Sequence, residues 1–93
     1  MAIANRFALG QTTMTAGIAE AARRGEVNPA QLLQRHVSGD WGDLGPGDKQ
    51  MNEDAVRTGE DRILSAYMVN GQKVYVITEW DRSYTTVLFA SEY

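Results

Sequence analysis

The sequence predicts an α+β domain: two or three N-terminal helices packed on a C-terminal antiparallel three-stranded meander, with a possible extra N-terminal strand. Three observations carry that reading. Residues that start and stop helices punctuate the stretch from Thr15 to Gly59. Beyond Arg62 the apolar residues change from helical spacing to alternation, as half-buried strands require. Asn70-Gly71 then stands between two alternating runs, a dipeptide suited to the type I′ turn of a tight hairpin.

The first element is "RFALGQT", from Arg6 to Thr12, a short strand interrupted by Gly10 and expected at a sheet edge. Thr15 can cap the next helix, its hydroxyl taking an amide that the first turn leaves unpaired. Ala16 to Arg24 is rich in strong helix formers, and Gly25 supplies a left-handed stop. Helix two opens on Asn28 as N-cap, Pro29 at the first helical position and Gln31 completing a capping box. Leu32 and Leu33 face the core, and the helix ends near His36 or Val37. "GDWGDLGPG" is a turn-rich connection. Helix three spans about Asp48 to Thr58, closed by Gly59, with a narrow apolar stripe of Met51, Ala55 and Val56.

The strands follow as "RILSAYMV", "QKVYVITEW" and "YTTVLF", the last two joined through Asp81 to Ser83. A two-residue turn at Asn70-Gly71 sets Leu64 against Ile77, Ala66 against Tyr75 and Met68 against Lys73 on one face. Arg62 and Glu79 are placed as a cross-strand ion pair on that face. The other face carries Ile63 against Thr78, Ser65 against Val76 and Tyr67 against Val74. A three-residue loop at Asp81–Ser83 puts Trp80 opposite Tyr84, so Val87 and Phe89 join the Leu64/Ile77/Tyr75 face. That face is expected to be the core. The opposite face then presents Tyr67, Trp80, Tyr84, Thr78 and Thr86, an aromatic and threonine mixture suited to a partner. A loop one residue longer or shorter would exchange the faces of the last strand.

Ninety-three residues make one domain, residues 1–93. Apolar content of 43% and charged content of 23% suit a folded protein rather than a disordered one. Nine basic against twelve acidic residues leave a net charge of -3, so no basic footprint for nucleic acid exists and none is expected as a partner. There is no cysteine, which excludes disulfides and thiolate metal sites. No apolar run is long enough to span a membrane, and "MAIANRFALG" lacks the apolar stretch of a signal peptide. A cytoplasmic setting without cofactor or metal is the expectation.

"RHVSGDWGDLGPGDKQMNED" raises the question of chemistry. His36 has the makings of a base, with Asp40 or Asp43 orienting it and Arg62 or Arg82 holding an anion. Convergence of His36, Asp40, Arg62 and Asp81 on one pocket would mark such a site. The competing reading makes His36 a helix-end residue and the aspartates turn and cap residues. Trp41 is either a loop anchor or an exposed binding residue. One histidine without cysteine does not make a structural zinc site, and the Asp40, Asp43 and Asp48 spacing does not match a calcium loop.

"RHVSGDWGDL", Asp48, "NEDAV", Gly59, "RILSAY", "VITEWDRSYTTVLF" and the final "EY" resemble a family of small uncharacterised bacterial proteins from plasmids and other mobile elements. The resemblance runs from about Leu32 to Tyr93. Its members often carry the label "plasmid-related protein" or "type I restriction endonuclease subunit M". The second label does not suit 93 residues without a glycine-rich cofactor loop after a strand. Trp80 departs from the family pattern, where a smaller residue is commoner, so solvent exposure is expected there. The resemblance implies a mobile-DNA setting, such as a plasmid or integron cassette, and supplies no catalytic or binding residues to carry over. The resulting expectation is a non-enzymatic binding module, forming a homodimer or docking a protein partner through the aromatic face. The alternatives are a counter-defence protein inhibiting a restriction or CRISPR complex, and a small enzyme using His36, Asp40 and Arg82.

Overall fold

A computed structural model describes residues 5–93 and shows an α+β fold. Strand β1 (Gln11–Met14) is followed by helices α1 (Ala16–Arg23), α2 (Pro29–Val37) and α3 (Pro46–Thr58). Strands β2 (Ile63–Val69), β3 (Gln72–Thr78) and β4 (Tyr84–Phe89) complete the sheet, and a 3₁₀ turn (Ala90–Glu92) follows. The sheet order is β1-β4-β3-β2, with β1 parallel to β4 and the other pairs antiparallel. Among the described residues no helix is long and apolar enough to cross a membrane.

The helix ends follow local chemistry. The Thr15 hydroxyl accepts from the Ile18 amide and the Asn28 side chain from the Gln31 amide, both at 3.2 Å. Helix α3 begins two residues before the predicted Asp48, because Pro46 takes the first helical position behind Gly45. Asp48 therefore lies in the first turn, where its charge complements the helix dipole. The N-terminal strand is also displaced. Residues 6–10 do not pair in the sheet, and Gly10 adopts a left-handed φ of 64° that turns the chain into β1.

The first hairpin has the predicted register, with positive φ at both Asn70 and Gly71 and Leu64 opposite Ile77. The second connection does not. Thr78 lies opposite Thr85 and the Glu79 amide donates to the Tyr84 carbonyl, so four residues, Trp80 to Ser83, form the loop. Arg82 holds the longer turn in place. Its φ is 60°, and its guanidinium donates to the carbonyls of Ala55, Asp61 and Trp80 at 2.6–3.0 Å. The consequence is an exchange of faces. Val87 lies opposite Val76 and Phe89 opposite Val74, on the side of Tyr67 rather than of Leu64.

This exchange corrects the predicted core. Helices α1 and α2 bury Ile18, Ala21 and Leu32 against Tyr67, Val74, Val76 and Val87. Each such side chain contributes about 1.5–3 kcal/mol on burial. The β-branched face outcompetes the one holding Lys73 and Met68, since burying an unpaired ammonium is costly. A second cluster joins Trp41, Ala55 and Ile63, with Phe7 and Leu44 against them. The face predicted to be the core, with Leu64, Tyr75 and Ile77, turns away from α1 and α2 and carries Tyr84, Thr86 and Leu88 as well.

Candidate functional site

The predicted catalytic trio does not assemble. His36 is fully buried, Asp40 pairs on the surface with Arg35 at 2.6 Å, and Arg82 is committed to backbone carbonyls. Arg62 donates to the Tyr93 hydroxyl rather than pairing with Glu79, and the β2–β3 pairing ends one residue short of both, at Ile63 and Thr78. Asp81 accepts from the Ser83 amide at 3.0 Å within its own turn.

His36 lies in the last turn of α2, as the helix-end reading has it, but it is buried and uncharged rather than a charged partner of the dipole or a base open to substrate. Its Nδ1 lies 2.6 Å from Ser65 Oγ and its Nε2 2.9 Å from Thr78 Oγ1. Thr78 Oγ1 is 2.7 Å from Thr85 Oγ1, which donates to the Leu9 carbonyl at 2.7 Å. That last bond sets every proton. Thr85 has spent its hydrogen on Leu9, so it accepts from Thr78, and Thr78 accepts from the Nε2–H of His36. Nδ1 is then bare and accepts from Ser65. The ring is neutral, and burial pushes its pKa down to about 3. Ser65, Thr78 and Thr85 are all fully buried, so the serine–histidine contact serves packing: one hydrogen-bonded line stitches β2, α2, β3, β4 and the segment before β1.

The acidic loop has an architectural task. Glu53 on α3 takes both guanidinium nitrogens of Arg6, at 2.8 and 2.9 Å, and the Trp41 indole N–H at 2.8 Å. The Arg6 bonds, with that of Trp41, hold its carboxyl down to about 2. Trp41 is the anchor of the loop, buried to 4% exposure. Asp40 Oδ1 accepts from the Gly42 amide, and Gly42 lies alongside Ala66 as a parallel bridge. A side chain at Gly42 would collide with the Ala66 carbonyl and the Tyr67 ring, so only glycine fits.

Of the predicted binding residues, Tyr67 and Thr78 are buried beneath the helices. Burial pushes the Tyr67 hydroxyl up to about 12, and it donates to the Asp40 carbonyl. Tyr84 remains exposed and Thr86 is partly exposed on the outer face, where Thr86 meets Thr13 at 3.0 Å. Trp80, at 66% exposure, stands on the turn that Arg82 fastens to Asp61 and Ala55.

Sequence reasoning missed a broad concavity. A groove of about 980 Å³ runs between α3 and the outer face of β2 and β3. Leu64, Ala66 and Tyr75 form its floor, with Met51 on the α3 side and Tyr93 crossing Tyr75 edge-on at 5.7 Å. Four carboxylates border it, Asp43, Asp48, Asp54 and Asp61, against two cations, Arg62 and Lys73. The signal was divided in sequence: the carboxylates read as turn and cap residues, and the floor read as core. Among the described residues no group of three histidine or carboxylate side chains is placed to hold a metal ion. Comparison with family models, curated proteins and solved structures returned no match.

Proposed function

We propose that the protein is a non-catalytic binding module that docks a cationic, apolar-tipped segment of a protein partner in the groove beside α3. One observation carries this reading. The groove joins an apolar floor to a rim with two more acidic than basic groups. The floor supplies area that is favourable to cover, and the carboxylates favour lysine or arginine while disfavouring acidic competitors. Trp80 adds an aromatic anchor beyond the Asp61 end, on a turn already held rigid by Arg82. A fixed, exposed tryptophan loses little freedom on binding, which favours it as an energetic centre. The mobile-DNA setting implied by the resemblance would suit a small module that engages a host protein.

The test is chemical-shift mapping with two peptide sets of matched apolar content, one lysine-rich and one glutamate-rich. Shifts at Leu64, Ala66 and Tyr75 with the cationic set alone are expected, together with loss of binding in Asp48→Lys, Asp61→Lys protein. Equal response to both sets, or shifts elsewhere, would refute the groove as the site.

A further inference from the structure

The free edge of β1 points to a use distinct from the groove. In the parallel β1–β4 pairing the Gln11 amide donates to the Ser83 carbonyl and the Thr15 amide to the Val87 carbonyl. Odd-numbered residues of β1 therefore turn their backbone groups toward β4. Thr12 and Met14 turn theirs away, and among the described residues those N–H and C=O groups have no partner. All four residues of β1 are exposed, and none is charged, proline or part of a bulge, the devices that usually blunt an edge.

We infer that β1 pairs antiparallel with β1 of a second copy of this chain, about a two-fold axis through Thr13. In that register Thr12 and the partner's Met14 exchange two backbone hydrogen bonds, and Met14 with the partner's Thr12 exchanges two more. The two Thr13 residues then face each other across a non-hydrogen-bonded position, where Cα atoms lie about 4.5 Å apart.

A second copy is the favoured occupant because, among the described residues, each chain has one open edge and one edge covered except at Met68, beside the hairpin turn. Leu64 on β2 is bonded at both backbone atoms by Asn52, and Ala66 at both by the Trp41–Asp43 loop. A foreign strand added to β1 would bring its own second edge. A second copy brings one that leaves only Met68 outward, too short a stretch to pair with another strand, so growth stops at two. The resulting sheet of two four-stranded halves has its two grooves on one face, about 35 Å apart at the usual strand spacing.

The chain contains no cysteine, which permits a register-specific trap. Under mild oxidation Thr13→Cys should form a disulfide dimer, whereas Thr12→Cys, which would face Met14, should form several-fold less. The mass of the unmodified protein should rise with concentration toward twice 10.3 kDa. Thr12→Lys, Met14→Lys protein should remain monomeric, and mixing it with Thr12→Glu, Met14→Glu protein should restore the dimer. A monomer at every concentration, with no excess of crosslink at Thr13 over Thr12, would overturn the inference. So would a dimer that survives both lysines. Neither result touches the peptide test of the groove.

Discussion

Along β2, the outward backbone groups of Leu64 and Ala66 all find partners; along β1, those of Thr12 and Met14 find none among the described residues. The covering of β2 draws on distant parts of the chain. Asn52 comes from α3, and the bridge at Gly42 comes from a loop held by Trp41 and Glu53. The covering residues also build one wall of the groove, so closing an edge and shaping a binding surface are the same act here. An uncovered strand edge is a template for another chain, and the contrast leaves β1 as the more open of the two edges.

The sharpest way to break this arrangement is acid, because the His36 line ties the β2 side of the sheet to the segment leading into β1. The folded-state pKa of about 3 lies below the ordinary 6.5. Neutral histidine is therefore favoured by folding, and its contribution is complete above pH 6.5. It is lost as pH falls, since the unfolded chain binds the proton first. The loss should approach about 1.4 kcal/mol per pH unit and reach about 4 kcal/mol near pH 3. Urea unfolding from pH 7 to pH 4 measures it. His36→Gln keeps a donor and an acceptor without the titration, and should flatten that slope in the upper part of the range.

Opening the β2 edge comes next. Gly42→Ala combines a positive φ of 76° with a collision on backbone, and should cost about 2–5 kcal/mol. Asn52→Ala leaves the Leu64 amide and carbonyl unpaired and should cost about 1–3 kcal/mol. Both variants should also aggregate faster than the parent by light scattering, because a second edge is then open. At the other edge the expected effect is smallest. Thr12→Lys should change monomer stability by less than about 0.5 kcal/mol, since its side chain is exposed and makes no hydrogen bond among the described residues. A larger loss there would show that β1 is not the loose edge described.

Much of the fold was legible in sequence because its signals are local. Thr15, Asn28 and Gly59 mark helix ends through bonds reaching only a few residues, and Asn70-Gly71 marks its turn through φ. Trp41 was open to two readings, and only the indole bond to Glu53 decides for the anchor. His36 carried no local sign of its fate, since its partners lie 29 and 42 residues away. The groove was illegible for the same reason: it draws on α3, the 43–45 loop and two strands that meet only in the folded chain.

The amino-acid order by itself determined the element types, the helix caps and the register of the first hairpin, each through contacts a few residues apart. Tertiary structure alone decided which side of the sheet packs against α1 and α2. That choice depended on one added residue in the Trp80–Ser83 turn, held by Arg82 reaching carbonyls of Ala55 and Asp61. Strand side chains alternate with a period of two, so a single residue in a turn moves a whole strand's apolar set from one face to the other. No local propensity encodes a bond made 27 residues away.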